Sequence, residues 1–252
     1  MTIFATTPIT PPDWLILLLM APIFGSFLGV LVLRLPRGEA VGAARSRCES
    51  CAHMLHARDL VPLLSYVVQR GRCRYCGAAI GRFHPAAEIT AMAIVVWAAT
   101  VDDGGRLIAG CALGWLLLAL AACDWRSFRL PDALTLPLIL LGLFTTWWLD
   151  PDQAPDHAVA AALGYLGFRA LAWAYRRWRG REGLGQGDAK LLAGAGAWLG
   201  VAALPDVILF AALAGLAMAV ALKLRGRAVG ARTMLPFGPC LALATWLLWL
   251  YA

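Results

Sequence analysis

Residues 14–33 read WLILLLMAPIFGSFLGVLVL, a run without a charged side chain. A helix rises ~1.5 Å per residue, so a segment of this length crosses the ~30 Å of hydrocarbon in a bilayer. Lipid gives a backbone no water to bond, which leaves helices or closed barrels as spanning structures. Seven further apolar stretches follow, at roughly 86–101, 106–122, 131–149, 158–175, 187–203, 206–222 and 235–251. The sequence therefore predicts an all-α polytopic membrane protein of about eight transmembrane helices. Composition agrees: 61% of the 252 residues are hydrophobic and 15% are charged, where a soluble domain sits near half and a quarter. No Lys or Arg precedes the first stretch, so it reads as a span and not as a secretory signal. Trp147 and Trp148, and again Trp249 and Tyr251, flank apolar stretches as interfacial anchors would.

The formal net charge is +7, which by itself would admit a nucleic-acid partner. Its distribution argues against one. With the N-terminus placed outside, the inner segments 34–85, 123–130, 176–186 and 223–234 hold 19 of the 22 Lys and Arg residues, and the outer segments hold none. Arg106, Arg169 and Lys190 lie within the spans. This is the positive-inside pattern, and it predicts both termini outside and the long loop in the cytoplasm. The positive charge is then read as orientation and anionic-lipid contact, with no nucleic-acid partner expected.

That long loop carries Cys48-x-x-Cys51 and Cys73-x-x-Cys76, with 21 residues between the pairs. Each knuckle presents two thiolates from one tight turn, and two knuckles complete a tetrahedron, so the four are candidate zinc ligands. Neighbouring Arg47, Arg72 and Arg74 would favour the thiolates. A closed four-thiolate shell leaves no open position, which makes the expected zinc structural. The competing reading, a pair of disulfides, conflicts with a reducing cytoplasm. His53, His56 and His84 are possible spare ligands but read better as polar loop residues. Cys111, Cys123 and Cys240 lie in or beside apolar spans and read as packing residues. The chain thus divides into a first span (1–33), a tetracysteine domain (34–85) and a seven-helix domain (86–252).

Acids near a membrane interior demand a reason. Glu88, Asp124, Asp132, Glu182 and Asp188 all lie near the inner ends of spans. Asp124 follows the third span, in CDWRSFRLPD, and Asp188 opens the sixth, in GLGQGDAKLL (183–192). Alternating span direction puts both at the cytoplasmic face, so the topology lets them meet. Gly183, Gly185 and Gly187 would allow positive φ and close approach of another chain, and a helix N-terminus at Asp188 would favour its charge. Two such carboxylates sharing one proton can work as base and acid in peptide hydrolysis. The same pair could also serve as a proton relay in a transporter or as helix caps. Transporters, however, usually place such acids at the midplane within repeated halves. A membrane-tethered zinc adaptor would leave the acids unexplained.

Five stretches taken together carry a resemblance. They are GSFLGVLVLRLPRGE (25–39), RGRCRYCGAAIGRFHPAAE (70–88), CDWRSFRLPDALTLPLILLGL (123–143), GLGQGDAKLLAGAGAWLG (183–200) and LPFGP (235–239). In order and spacing the chain resembles the type IV prepilin peptidase family, bifunctional leader peptidases and N-methyltransferases of pilus and type II secretion systems. The resemblance implies that Asp124 and Asp188 are the catalytic pair of a GxGD-type aspartic protease. It further implies prepilin or pseudopilin substrates, cleaved after a Gly behind a short basic leader at the cytoplasmic face of the bacterial inner membrane. Methylation of the new N-terminal residue, with S-adenosylmethionine as donor, is implied as well. One position departs from the pattern: Gly29 stands where the family usually has Asn. That region and the cysteine loop are the parts associated with methyl transfer. Cleavage without methyl transfer is therefore the alternative. Asp132 competes with Asp124, but the family's first aspartate matches position 124, and RLPD reads as a helix start with Pro131 near its first turn.

Overall fold

A computed structural model describes residues 11–39, 41, 46–180, 183, 185–226, 230 and 233–252. Its α-helices are α1 (Pro11–Arg34), a short α2 (Leu64–Val68), α3 (Phe83–Ala98), α4 (Gly104–Ser127), α5 (Asp132–Leu149), α6 (Ala154–Arg179), α7 (Gln186–Leu199), α8 (Leu204–Leu224) and α9 (Gly238–Tyr251). Each of the eight apolar stretches falls on one of the long helices. Five segments, Trp14–Arg37, Gly104–Ser127, Asp132–Leu149, Pro151–Arg179 and Leu204–Leu224, are long and apolar enough to cross a membrane. Phe83–Ala98 and Gly238–Tyr251 are shorter apolar helices. At ~1.5 Å per residue, the 14 residues of α7 reach only about 21 Å.

The chain forms two compact units, Met1–Trp115 and Leu116–Ala252. In the first, α1 and α3 meet at Gly25, where a Cβ would lie 2.7 Å from the Glu88 Cα. Trp115 closes this unit: its ring stacks on Phe24 at 4.4 Å, and its indole N–H donates to the Ala91 carbonyl at 3.1 Å.

The second unit is organised around α7. Residues Ala189 and Leu191 through Trp198 are all buried, so this helix is covered on every side. The run AGAGA makes that possible. A Cβ at Gly194 would lie 2.4 Å from the Leu138 Cδ2 of α5, and one at Gly196 would lie 2.6 Å from the Ala160 backbone of α6. Small residues at the interface let helices pack backbone to backbone where lipid supplies no hydrophobic drive. Trp198 fixes the far end, donating its indole N–H to the Leu138 carbonyl at 2.8 Å and meeting Trp249 edge to face at 5.2 Å. The helix stops at Gly200, whose φ of +81° only glycine adopts cheaply. Asp156 then accepts the Val201 N–H at 2.9 Å.

Trp147, Trp148 and Tyr251 are exposed, as interfacial anchors would be, whereas Trp249 is buried against Trp198 and belongs to the core. Cys111, Cys123 and Cys240 are buried free thiols, which bears out their reading as packing residues.

Candidate active site and thiol cluster

The helix α4 runs to Ser127, one turn past the expected end of its span, so Asp124 lies inside it rather than after it. The side chain is buried, with the residue 6% exposed. Its Oδ2 accepts the backbone N–H of Gly238 at 2.8 Å. Gly238 is the first residue of α9, so Asp124 faces the positive end of that helix. The fit is close: a Cβ at position 238 would lie 2.8 Å from that same oxygen and 3.0 Å from Cγ.

Asp188 occupies the equivalent kind of place on α7. It stands in the first turn, half-buried, and its Oδ2 accepts the Gly185 N–H at 3.2 Å. The two aspartates lie within charge–charge interaction range of each other. The pair is thus two carboxylates from different helices, each held by a backbone amide at a helix N-terminus.

Of the two roles expected of the glycines before Asp188, close approach is observed and positive φ is not. None of Gly183, Gly185 and Gly187 has positive φ; what they provide is room. A Cβ at Gly187 would lie 2.7 Å from the Leu130 side chain. Glu182 lies outside the described residues.

Asp132, the competitor, begins α5 with Pro131 as the cap residue before it. Its carboxylate takes the Lys190 ammonium as partner, tying α5 to α7. Asp132 is therefore a charged strut beside the pair, and Lys190 is its counter-ion. Nothing in the sequence marks Lys190 for this role. Gly238 is unmarked too, although Pro–Phe–Gly–Pro spells a helix start.

In the first unit, the four loop cysteines converge. The Sγ atoms of Cys48, Cys51, Cys73 and Cys76 lie within 4.8 Å of one another, and Cys48 and Cys76 are 3.9 Å apart. A disulfide needs ~2.05 Å, and all four thiols are free. Tetrahedral thiolates at ~2.3 Å from a zinc ion would be about 3.8 Å apart, so the cluster could hold a metal. The two knuckles share one design. Cys48 N–H donates to His53 O and Ala52 N–H to Cys48 O, as Cys73 N–H donates to Ala78 O and Gly77 N–H to Cys73 O. Ala52 and Gly77 both adopt positive φ at the matching position.

The amides of Cys51 and Ser50 pull the Cys48 thiol down to about 6. Arg74, expected to serve the thiolates, is instead bound to Asp59 at 3.0 Å. Asp59 gathers the loop, accepting also from the His56 amide and from Gln69. The His53 ring lies tilted against that of Tyr75, with centroids 3.7 Å apart, and neither it nor His56 or His84 joins the metal-binding group. Glu88, buried in α3, accepts the Leu63 N–H at 2.8 Å. His84 lies against α1: a Cβ at Gly29 would be 2.8 Å from His84 Nδ1. The imidazole thus fills the space into which a side chain at position 29 would project.

Fold and side chains together define an all-helical membrane protein with two amide-bound aspartates and a tetrathiol loop. Comparison with known proteins narrows that class. Residues 19–101 match the bacterial peptidase A24 N-terminal domain, and residues 111–220 match the type IV leader peptidase family. A prepilin leader peptidase/N-methyltransferase of Burkholderia pseudomallei (strain 1026b) is 40% identical over 246 residues, covering 87% of this chain and 79% of the relative. One from Aeromonas salmonicida (strain A449) is 42% identical over 208 residues, covering 81% and 71%. One from Dickeya chrysanthemi is 38% identical over 262 residues, covering 93% and 91%. No solved structure matches. This chain belongs to the type IV leader peptidase family.

Proposed function

We propose that the chain removes the basic leader peptide from prepilins or type II secretion pseudopilins and then methylates the new N-terminal amine. The observation that carries this reading is the pair Asp124 and Asp188, each on a helix-terminal amide, in a chain of this family. A proton-coupled transporter using the same acids is not favoured by the relatives' names.

In the proposed reaction the two aspartates hold one proton between them. The ionised carboxylate takes a proton from water as the oxygen attacks the scissile carbonyl. The protonated one gives its proton to the carbonyl oxygen, forming a neutral gem-diol. Return of a proton to the amide nitrogen breaks the C–N bond and releases the leader's carboxylate and the mature amine. The Gly238 amide keeps Asp124 from rotating away, and the Gly185 amide does the same for Asp188.

Zinc in the four-thiolate site would be structural, since Cys48, Cys51, Cys73 and Cys76 complete its shell. S-adenosylmethionine would supply the methyl group. The imidazole of His84 beside Gly29 is the feature that keeps methyl transfer in this reading, because it refills the position of the family's usual Asn. We keep the division into a first span (1–33), tetracysteine domain (34–85) and peptidase domain (86–252), with eight crossings, both termini outside and the cysteine loop in the cytoplasm. Coexpression with a prepilin, followed by gel mobility and mass spectrometry of the mature N-terminus, tests both activities. An unshortened prepilin would overturn cleavage, and a shortened but unmethylated one would overturn methyl transfer.

A further inference from the structure

The cysteine loop contains a helix that is inside out. In α2, Leu64, Val67 and Val68 are 62%, 69% and 66% exposed, while Ser65 and Tyr66 are half-buried. The Tyr66 ring packs inward, where a Cβ at Gly71 would lie 3.0 Å from its hydroxyl. Leu60 and Val61, just before α2, are exposed as well. A loop helix in water turns its apolar side toward the core, and a contiguous apolar face turned outward marks a contact with something apolar.

Two observations identify the contact. First, the patch is held at the level where a span begins. The Leu63 N–H is bonded to Glu88, in the second turn of α3, which at ~1.5 Å per residue is about 7–8 Å from that helix's start. The chain turns there through Leu63 at φ 57° and ψ −49°, the rare and strained γ-turn geometry. The loop is bent so that α2 lies beside the end of α3 rather than out in water. Second, the patch is bordered by cations. Arg58, Arg70 and Arg72 are all exposed around it. Apolar side chains at interfacial depth with arginines around them are the features by which an amphipathic element lies in an anionic leaflet.

We infer that residues 60–68 form an interfacial segment that seats the thiol cluster on an anionic lipid surface, with Leu64, Val67 and Val68 among the acyl chains and Arg70 and Arg72 at the headgroups. Cys73 follows Arg72 directly, so the segment fixes the height of the second knuckle above the bilayer. The inference builds on the reading of the chain as a leader peptidase with a cytoplasmic loop. Its test is independent of that orientation, because both faces of a nanodisc carry the same lipid.

The full-length protein is reconstituted into nanodiscs of phosphatidylglycerol doped with a diazirine-bearing acyl chain, irradiated and digested with trypsin. Acyl adducts are expected on the peptide 59–70 as well as on α1. In phosphatidylcholine discs the 59–70 yield should fall several-fold relative to α1. In the Leu64→Ser/Val67→Ser/Val68→Ser variant it should fall likewise, with α1 labelling and bound metal retained. Adducts on α1 with none on 59–70 would overturn the inference. So would equal yields in the two lipids, or loss of the adducts when a prepilin or a second copy of the chain occupies the segment.

Discussion

The backbone N–H of Gly238 and Oδ2 of Asp124 are 2.8 Å apart, across 114 positions of sequence. That bond joins the last helix of the chain to one half of the aspartate pair. It also leaves no space for a side chain, because a Cβ on Gly238 would sit on the carboxylate.

Gly238→Ala should therefore act on catalysis more than on folding. The methyl group would push Asp124 or α9 aside by a fraction of an ångström to about 1 Å, and a displacement of that size costs roughly 10²-fold in rate. Leader removal measured in detergent or nanodiscs should show that loss in kcat, with the thermal midpoint changed by only a few degrees.

Asp124→Asn and Asp188→Asn should each lower cleavage by about 10³-fold or more, since a missing acid or base typically costs 10²–10⁴. Asp132→Asn should not. Its ion pair with Lys190 is partly solvent-exposed, and such pairs contribute about 0–1 kcal/mol. Normal cleavage by both Asp124→Asn and Asp188→Asn would falsify the dyad; full loss in Asp132→Asn alone would move the site to α5.

Metal removal should separate the two proposed activities. Zinc-site peptides bind their ion with apparent energies of ~10–16 kcal/mol, and without it they unfold. Chelation, or Cys48→Ser with Cys73→Ser, should release one metal ion per chain and expose residues 46–80 to protease. Methylation should be lost before cleavage, because the aspartates stand in the other compact unit. Metal analysis alongside mass spectrometry of the processed pilin would show the order.

At the Gly29–His84 contact, Gly29→Asn should be disruptive, since the new side chain would enter space held by the imidazole at 2.8 Å. His84→Ala should lower methylation more than cleavage, and the double change Gly29→Asn/His84→Ala should recover part of it. Equal methylation in all three proteins would remove His84 from any part in that activity.

Much of this molecule is legible without coordinates. The long helices follow from apolar length alone, because lipid forces every backbone group to bond within its own segment. The four cysteines announce their site through spacing, since a C-x-x-C turn brings its two thiols together locally and only one long-range approach remains to be made. Among the five acids near the inner ends of spans, Asp124 and Asp188 are singled out by the family resemblance of the stretches that carry them.

The rest depended on which atoms meet. Helix ends shifted by a turn, and that moved Asp124 from a loop into α4. The glycines of GLGQGD give close approach to Leu130 and Tyr175 without positive φ, a distinction that residue type cannot make. Trp249 went to the core and Lys190 to Asp132 because of packing and charge between segments far apart in the chain. Sequence by itself determined which long segments are helical and which four thiols converge, because those depend on local length, polarity and spacing. Only the tertiary structure decided that the amide of Gly238 holds Asp124 and that His84 fills the space at Gly29, since a hydrogen bond or a steric contact exists only once two distant backbones are placed within 3 Å.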